Sequence, residues 1–176
     1  AQLYTWIEEE YPELFGRIRE RIAEGRWEPV GGSWTEPDCQ IIGGESFVRQ
    51  LFYGQRYFEE RFGVHCKVAW LPDAFGFSPA IPQLLRGTGI EGFFTCKLNW
   101  NEVNAFPYDL FRWEGIDGSQ VTAHMSDNPG PDYNGIIRVF DLLGTWRNFK
   151  EKRRHPESLF SFGWGDGGGG PTEKML

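Results

Sequence analysis

The sequence predicts an α/β fold on a mostly parallel sheet, and three observations carry that expectation. Short apolar runs of strand type alternate with longer runs of helical periodicity. Glycines stop several of these runs, at Gly25, Gly63 and Gly87. Residues suited to chemistry recur just after the predicted strands, where parallel α/β folds gather their active sites.

In chain order, the first residues enter a helix at once. Pro12 suits the first turn of a helix, where its missing N–H costs nothing. Tyr11, Leu14, Phe15, Ile18 and Ile22 then recur at helical spacing up to Gly25. Trp27 to Val30 reads as a short strand broken by Gly31 and Gly32. A helix from about Glu45 to Phe62 places Phe47, Leu51, Phe58 and Phe62 on one face, with Gly63 as its stop. Lys67 to Leu71 has the composition of a buried strand, Ile81 to Leu85 that of a short helix, and Gly92 to Cys96 that of another strand. Leu110 to Trp113 and Gln120 to Met125 flank the turn-rich stretch Gly115-Ile116-Asp117-Gly118, a predicted hairpin. A helix from Val139 to Lys152 follows, its basic end (Lys150, Lys152, Arg153, Arg154) suited to the helix dipole. Ser158 to Phe162 reads as a last strand, and Pro171 opens another helix. With no internal repeat and no long linker, residues 1–176 read as one domain or part of one, and both ends look cut from something longer.

Composition narrows the function. The 176 residues are 40% hydrophobic and 24% charged with a net charge of -7, and so lack the basic surplus that neutralising nucleic-acid phosphates requires. No apolar run approaches the roughly 20 residues of a membrane span. The three cysteines, Cys39, Cys66 and Cys96, form no CxxC pair and are odd in number, against a disulfide framework. Cys66 and Cys96 lie in strand-like runs and read as small buried hydrophobes. A reducing, cytoplasmic setting fits this usage.

Trp34, Glu36 and Asp38 follow the first predicted strand and Asp73 the second. Lys97, Asn99, Trp100, Asn101 and Glu102 follow the third, His124 ends the hairpin, and Asp166 follows the last strand. Asp73 stands after Pro72 among apolar and aromatic residues, a setting that limits solvation and suits a nucleophile or a metal ligand. The same spacing also describes a turn or helix-capping aspartate. Gly163, Gly165 and Gly168 satisfy a GxGxxG pattern. Around Asp166 that segment is readable as a plain loop, a phosphate cradle or a carboxylate on a loop. Two aspartates at one rim also match the two-carboxylate logic of glycoside hydrolysis.

The run Gly31-Gly32-Ser33-Trp34-Thr35-Glu36-Pro37-Asp38, then Trp70-Leu71-Pro72-Asp73-Ala74-Phe75-Gly76, resembles the α-mannosidases of glycoside hydrolase family 38. So do Lys97-Leu98-Asn99-Trp100-Asn101-Glu102, Trp113-Glu114-Gly115-Ile116-Asp117-Gly118-Ser119 and the loop from Gly165 to Thr172. The long glycine loop is similar to that of the family's bacterial and fungal branch.

The resemblance implies part of a seven-stranded β/α barrel, truncated at both ends, and a single partial catalytic domain over 1–176. It implies Asp73 as both nucleophile and ligand of a divalent metal, zinc above all, and Asp166 as the acid and then base of a retaining mechanism. Such carboxyl pairs stand roughly 5–5.5 Å apart. Trp34, Glu36, Asp38, Lys97, Asn99, Asn101, His124 and Tyr133 become candidates for contact with an α-mannoside oligosaccharide. The family's His-x-Asp metal motif would lie before Ala1 and a further metal-binding histidine after Leu176. His65, His124 and His155 do not match those positions. A catalytic zinc wants about three protein ligands, so the chain alone is expected to lack metal and activity. Edges exposed on a cut barrel permit a homo-oligomer. A non-catalytic carbohydrate-binding or structural fragment is the alternative of another class. Nucleotide binding at the glycine loop is a third reading, disfavoured by the negative charge and the absence of basic residues beside the loop.

Overall fold

The computed structural model describes residues 1–126, 134–164 and 170–176. Three helices come first, α1 (Gln2–Glu10), α2 (Pro12–Ala23) and α3 (Gly44–Phe62). The longest, α3, buries Phe47, Leu51 and Phe58 of the stripe expected from periodicity, with Tyr57 beside them and Phe62 only partly buried. It ends at Gly63, whose φ of 67° places it in the left-handed region and whose N–H donates to the Glu59 carbonyl. On its outer face Arg49 pairs with Glu45 and Arg56 with Glu60, four residues apart.

The sheet has four strands in the order β1-β2-β4-β3. β1 (Val68–Trp70), β2 (Gly92–Thr95) and β4 (Gln120–Met125) are parallel, and β3 (Leu110–Glu114) pairs antiparallel with β4 through the expected hairpin. The short helix α4 (Ile81–Gly87) makes the crossover from β1 to β2. Register places Ala69, Phe93 and Ala123 side by side on one face. That face is packed against Phe47 and Leu51 of α3 and Ile81 and Leu85 of α4, and this is the main core. The next position along each strand puts Trp70, Phe94 and His124 in a row on the opposite face. Trp70 stacks on Phe94 at 3.8 Å between ring centroids, and the His124 ring lies between Phe94 (6.3 Å) and Phe149 (5.9 Å). This mixed α/β layer, helices on one face and an aromatic row on the other, sets where the strand ends point.

Four expectations require correction. Residues 27–30 form no strand: among the described residues the backbone bond beside β1 comes from the next residue, Gly31 N–H to the Val68 carbonyl (2.8 Å). Residues 158–162 form no strand either, and Phe162 makes only an isolated parallel bridge to Gly135. The predicted helix over 139–152 is the shorter α5 (Val139–Asn148). Phe149 leaves the helix with ψ of 115°, carrying its ring to His124, so Lys150, Lys152, Arg153 and Arg154 lie beyond the helix end. After Pro171 there is one 3₁₀ turn, Glu173–Met175. The three cysteines are free and buried, which for Cys66 and Cys96 is the expected place of small hydrophobes.

Gly54 decides how the loop before α3 lies. A Cβ at this buried helical position would run into the main chain of Gly32 and Ser33, with the Ser33 Cα 2.6 Å away. An alanine normally stabilises a helix relative to glycine. Here Gly54→Ala is expected to destabilise the chain by about 2 kcal/mol, because backbone cannot move aside as a side chain can. A urea midpoint equal to or above that of the wild type would refute this reading.

Candidate active site

The ladder of β1 runs out at Leu71, whose N–H donates to the Phe94 carbonyl (3.0 Å). Pro72 has no N–H to offer. The next amide, that of Asp73, donates to Glu36 Oε1 at 2.8 Å, from a residue 37 positions earlier. The Asp73 carboxylate, 49% exposed, forms an ion pair of 2.8 Å with Lys97 Nζ, whose side chain is only 5% exposed. Lys97 reaches it because β2 ends at Thr95 and the chain turns into a 3₁₀ helix over Lys97–Trp100. Its ammonium sits 3.4 Å from the Trp100 ring centroid and 4.9 Å from that of Phe75, within the range of cation–π attraction. Asp73 is thus an exposed carboxylate on a constrained main chain, beside a buried cation.

Glu36, Asp38 and Asp73 line one cleft of about 230 Å³ with Pro37, Ala74 and Phe75. Glu36 also lines a second cleft of about 390 Å³, with Trp34 and Trp70 among its walls. Partial burial raises the Glu36 carboxyl above its usual range, and the Asp73 carboxylate adds to the rise. The Asp73 N–H and the Lys97 ammonium oppose it. Burial pushes the thiols of Cys39 and Cys96 up to about 12, so beside this site both stay neutral and unreactive.

The other candidates are scattered around this centre. Trp34 donates its indole N–H to Gln2 Oε1 (2.8 Å) and meets Tyr57 edge-on. Asp38 Oδ1 accepts the N–H groups of Gln40 and Ile41, and Asn101 Oδ1 those of Val103 and Asn104, turns of the Asx type. Asn99 donates to the Ser126 carbonyl (3.2 Å). Tyr133 and Asp166 lie outside the described residues, as do Gly165 and Gly168 of the glycine loop. His65 is a structural link, with Nδ1 2.5 Å from Glu59 Oε1 and Nε2 2.9 Å from the Thr88 carbonyl. Among the described residues no group of three or more His, Cys, Asp or Glu side chains could hold a metal ion. Trp100 stands where the sequence places it, among the residues after the third predicted strand, whereas Phe75 is a site residue that the sequence did not single out. Its signal was available, since it lies two residues after Asp73.

Among the described residues neither ring nitrogen of His124 has a hydrogen-bond partner. Burial lowers its pKa from the ordinary 6.5, and only in part do Asp109 and Glu151 counter this. The unfolded chain therefore takes up the histidine proton before the folded one as pH falls. Stability should drop as pH falls from neutral through 6.5. Replacing His124 by Phe, which fits the stack between Phe94 and Phe149, should flatten that dependence. Equal slopes in urea titrations of the two proteins would exclude the histidine as its source.

Residues 1–176 match the model of the glycosyl hydrolases family 38 N-terminal domain along their whole length. The chain belongs to this family. Within family 38 it is 48% identical over 176 residues to Alpha-mannosidase G of Dictyostelium discoideum and 47% identical to Alpha-mannosidase 2C1 of Homo sapiens. All of this chain is covered in both cases, but only 16% and 17% of those relatives. The fold agrees with a solved family 38 protein from Enterococcus faecalis, with a TM-score of 0.60 at 16% identity over 94% of this chain and 18% of the other.

Proposed function

We propose that the intact protein containing this family 38 segment hydrolyses terminal α-mannosidic bonds of oligosaccharides or glycans, with Asp73 as its nucleophile. The observation that carries the reading is the setting of Asp73: an exposed carboxylate at a strand end, its amide held by Glu36 and its charge balanced by buried Lys97. Identity of 45–48% along the whole chain to relatives named as alpha-mannosidases supports the substrate class.

In this reading Asp73 attacks the anomeric carbon and forms a glycosyl ester while a second carboxyl protonates the departing oxygen. The same carboxyl then takes a proton from water as the ester is hydrolysed, so configuration is retained. Asp166 is assigned that second role by family resemblance. The exposed rings of Phe75 and Trp100 offer apolar faces for a sugar beside the reacting carboxylate. Trp34, Glu36, Asp38, Asn99, Asn101, His124 and Tyr133 remain proposed contacts or supports. The four-stranded sheet is proposed as an arc of a seven-stranded β/α barrel, and residues 1–176 as a single partial catalytic domain. Buried free thiols support a reducing, cytoplasmic setting.

The family implies a zinc ion, and the described residues by themselves do not fit one. They supply Asp73 but no cluster of three ligands, and a catalytic zinc takes about three. Further ligands would come from outside the chain, and the 176 residues alone are proposed to be inactive. The test is hydrolysis of a nitrophenyl α-mannoside by the intact protein and by residues 1–176, each with and without a chelator. Chelator-sensitive activity in the intact protein alone is expected. An intact protein that leaves the mannoside untouched would overturn the function, and stoichiometric zinc binding by the 176 residues would overturn the division of ligands.

A further inference from the structure

We infer that Glu36 is a positioning residue which holds the Asp73 main chain through a carboxylate-to-amide hydrogen bond, rather than a contact for the sugar. The inference rests on Asp73 being the reacting carboxylate. Asp73 stands at the point where the strand ladder stops. Leu71 N–H is the last donor into β2, and Pro72 contributes none. The Asp73 amide therefore has no strand partner, and Glu36 Oε1 accepts from it at 2.8 Å. Backbone N–H groups beside a site must be satisfied if the chain is to keep one conformation. A bond to an ionised acceptor is about twice as strong as a neutral one.

Glu36 is itself anchored. The two residues before it are tied to α3, Trp34 N–H to the Gln50 carbonyl (2.8 Å) and Thr35 N–H to Gln50 Oε1 (2.9 Å). The residue after it, Pro37, is buried. With Gly54 admitting that loop against the helix, the path from α3 to Asp73 is short and made of directed bonds. Asp73 is then fixed at two points, its amide by Glu36 and its carboxylate by Lys97. Rotation about the backbone would swing the carboxylate off Lys97, so each tie restrains what the other leaves free.

A misplacement of about 1 Å at a reacting atom can cost on the order of 10²-fold in rate. Glu36→Ala in the intact protein should lower kcat for a nitrophenyl α-mannoside by about 30- to 100-fold, with KM changed by less than about threefold. Glu36→Gln keeps an oxygen acceptor at the same reach and should recover kcat to within about fivefold of wild type. A sugar contact would instead raise KM in both variants, and a merely structural glutamate would lower the melting temperature while leaving kcat of the folded fraction alone. Either result, or a Gln variant no better than Ala, overturns the inference. Asp73→Asn is assayed in parallel. If that variant is inactive while Glu36→Ala retains full kcat, the positioning role fails and the nucleophile stands. If Asp73→Asn is active, the nucleophile assignment fails and takes the positioning role with it.

Discussion

Asp73→Asn is expected to lower kcat of the intact protein by on the order of 10⁴-fold, the scale seen when a group that acts chemically is removed from its partners. The substitution conserves shape, and the mutant amide oxygen can still accept from Lys97. Asparagine also keeps the backbone N–H that Glu36 receives. What disappears is the negative charge and the nucleophilic oxygen. Asp73 is half exposed, so water can take up part of the loss, but Lys97 keeps a buried ammonium that has lost its anion, and the melting temperature should fall as well. The measurement is therefore kcat at a temperature where a thermal melt shows the variant to be folded. An Asp73→Asn enzyme within tenfold of wild type would remove Asp73 from the chemistry and leave only the family fold.

Asp109→Ala is expected to destabilise the chain by about 3 kcal/mol, the lower end of the range for breaking a buried pair. Asp109 is 1% exposed, immediately before β3. Its two oxygens accept from both ends of one residue, Lys150 Nζ at 2.5 Å and Lys150 N–H at 2.7 Å. Glu151 Oε2 returns the grip by accepting the N–H groups of Asp109 and Leu110. Alanine removes both Asp109 acceptors from Lys150 at a position that is itself buried. The Lys150 side chain is 31% exposed, so water can soften the loss, which is why the lower figure applies. Asp109→Asn, which preserves one acceptor, should cost less. A urea midpoint for Asp109→Ala that matches wild type would show that the pair contributes nothing net. The network also explains why α5 stops at Asn148: the next two residues are committed to His124 and to Asp109.

Elements with their own internal signal were legible. Helix α3 announced its buried stripe and its stop at Gly63, since both follow from side-chain periodicity and local backbone freedom. The hairpin of β3 and β4 was legible from a turn between two apolar runs. Residues 27–30 and 158–162 have the same strand-like composition, yet among the described residues the first run is followed only by the bond of Gly31 to Val68 and the second has an isolated bridge at Phe162. A strand is a relation between two segments, and composition names only one of them. Asp73 and Lys97 stood out because both follow real strands. The chemistry of the site rests on contacts composition cannot announce.

By itself, the order of residues determined the family, the α/β class and the placing of Asp73 and Lys97 after β1 and β2, because these depend on local pattern and motif. Only the tertiary structure decided that Glu36 holds the Asp73 amide from 37 residues away, that Lys97 lies over Trp100, and that Asp109 closes on Lys150 across 41. Those pairings are set by how the loop before α3, the strand ends and the end of α5 pack together. Directed bonds between distant residues exist only once that packing has brought donor and acceptor within about 3 Å.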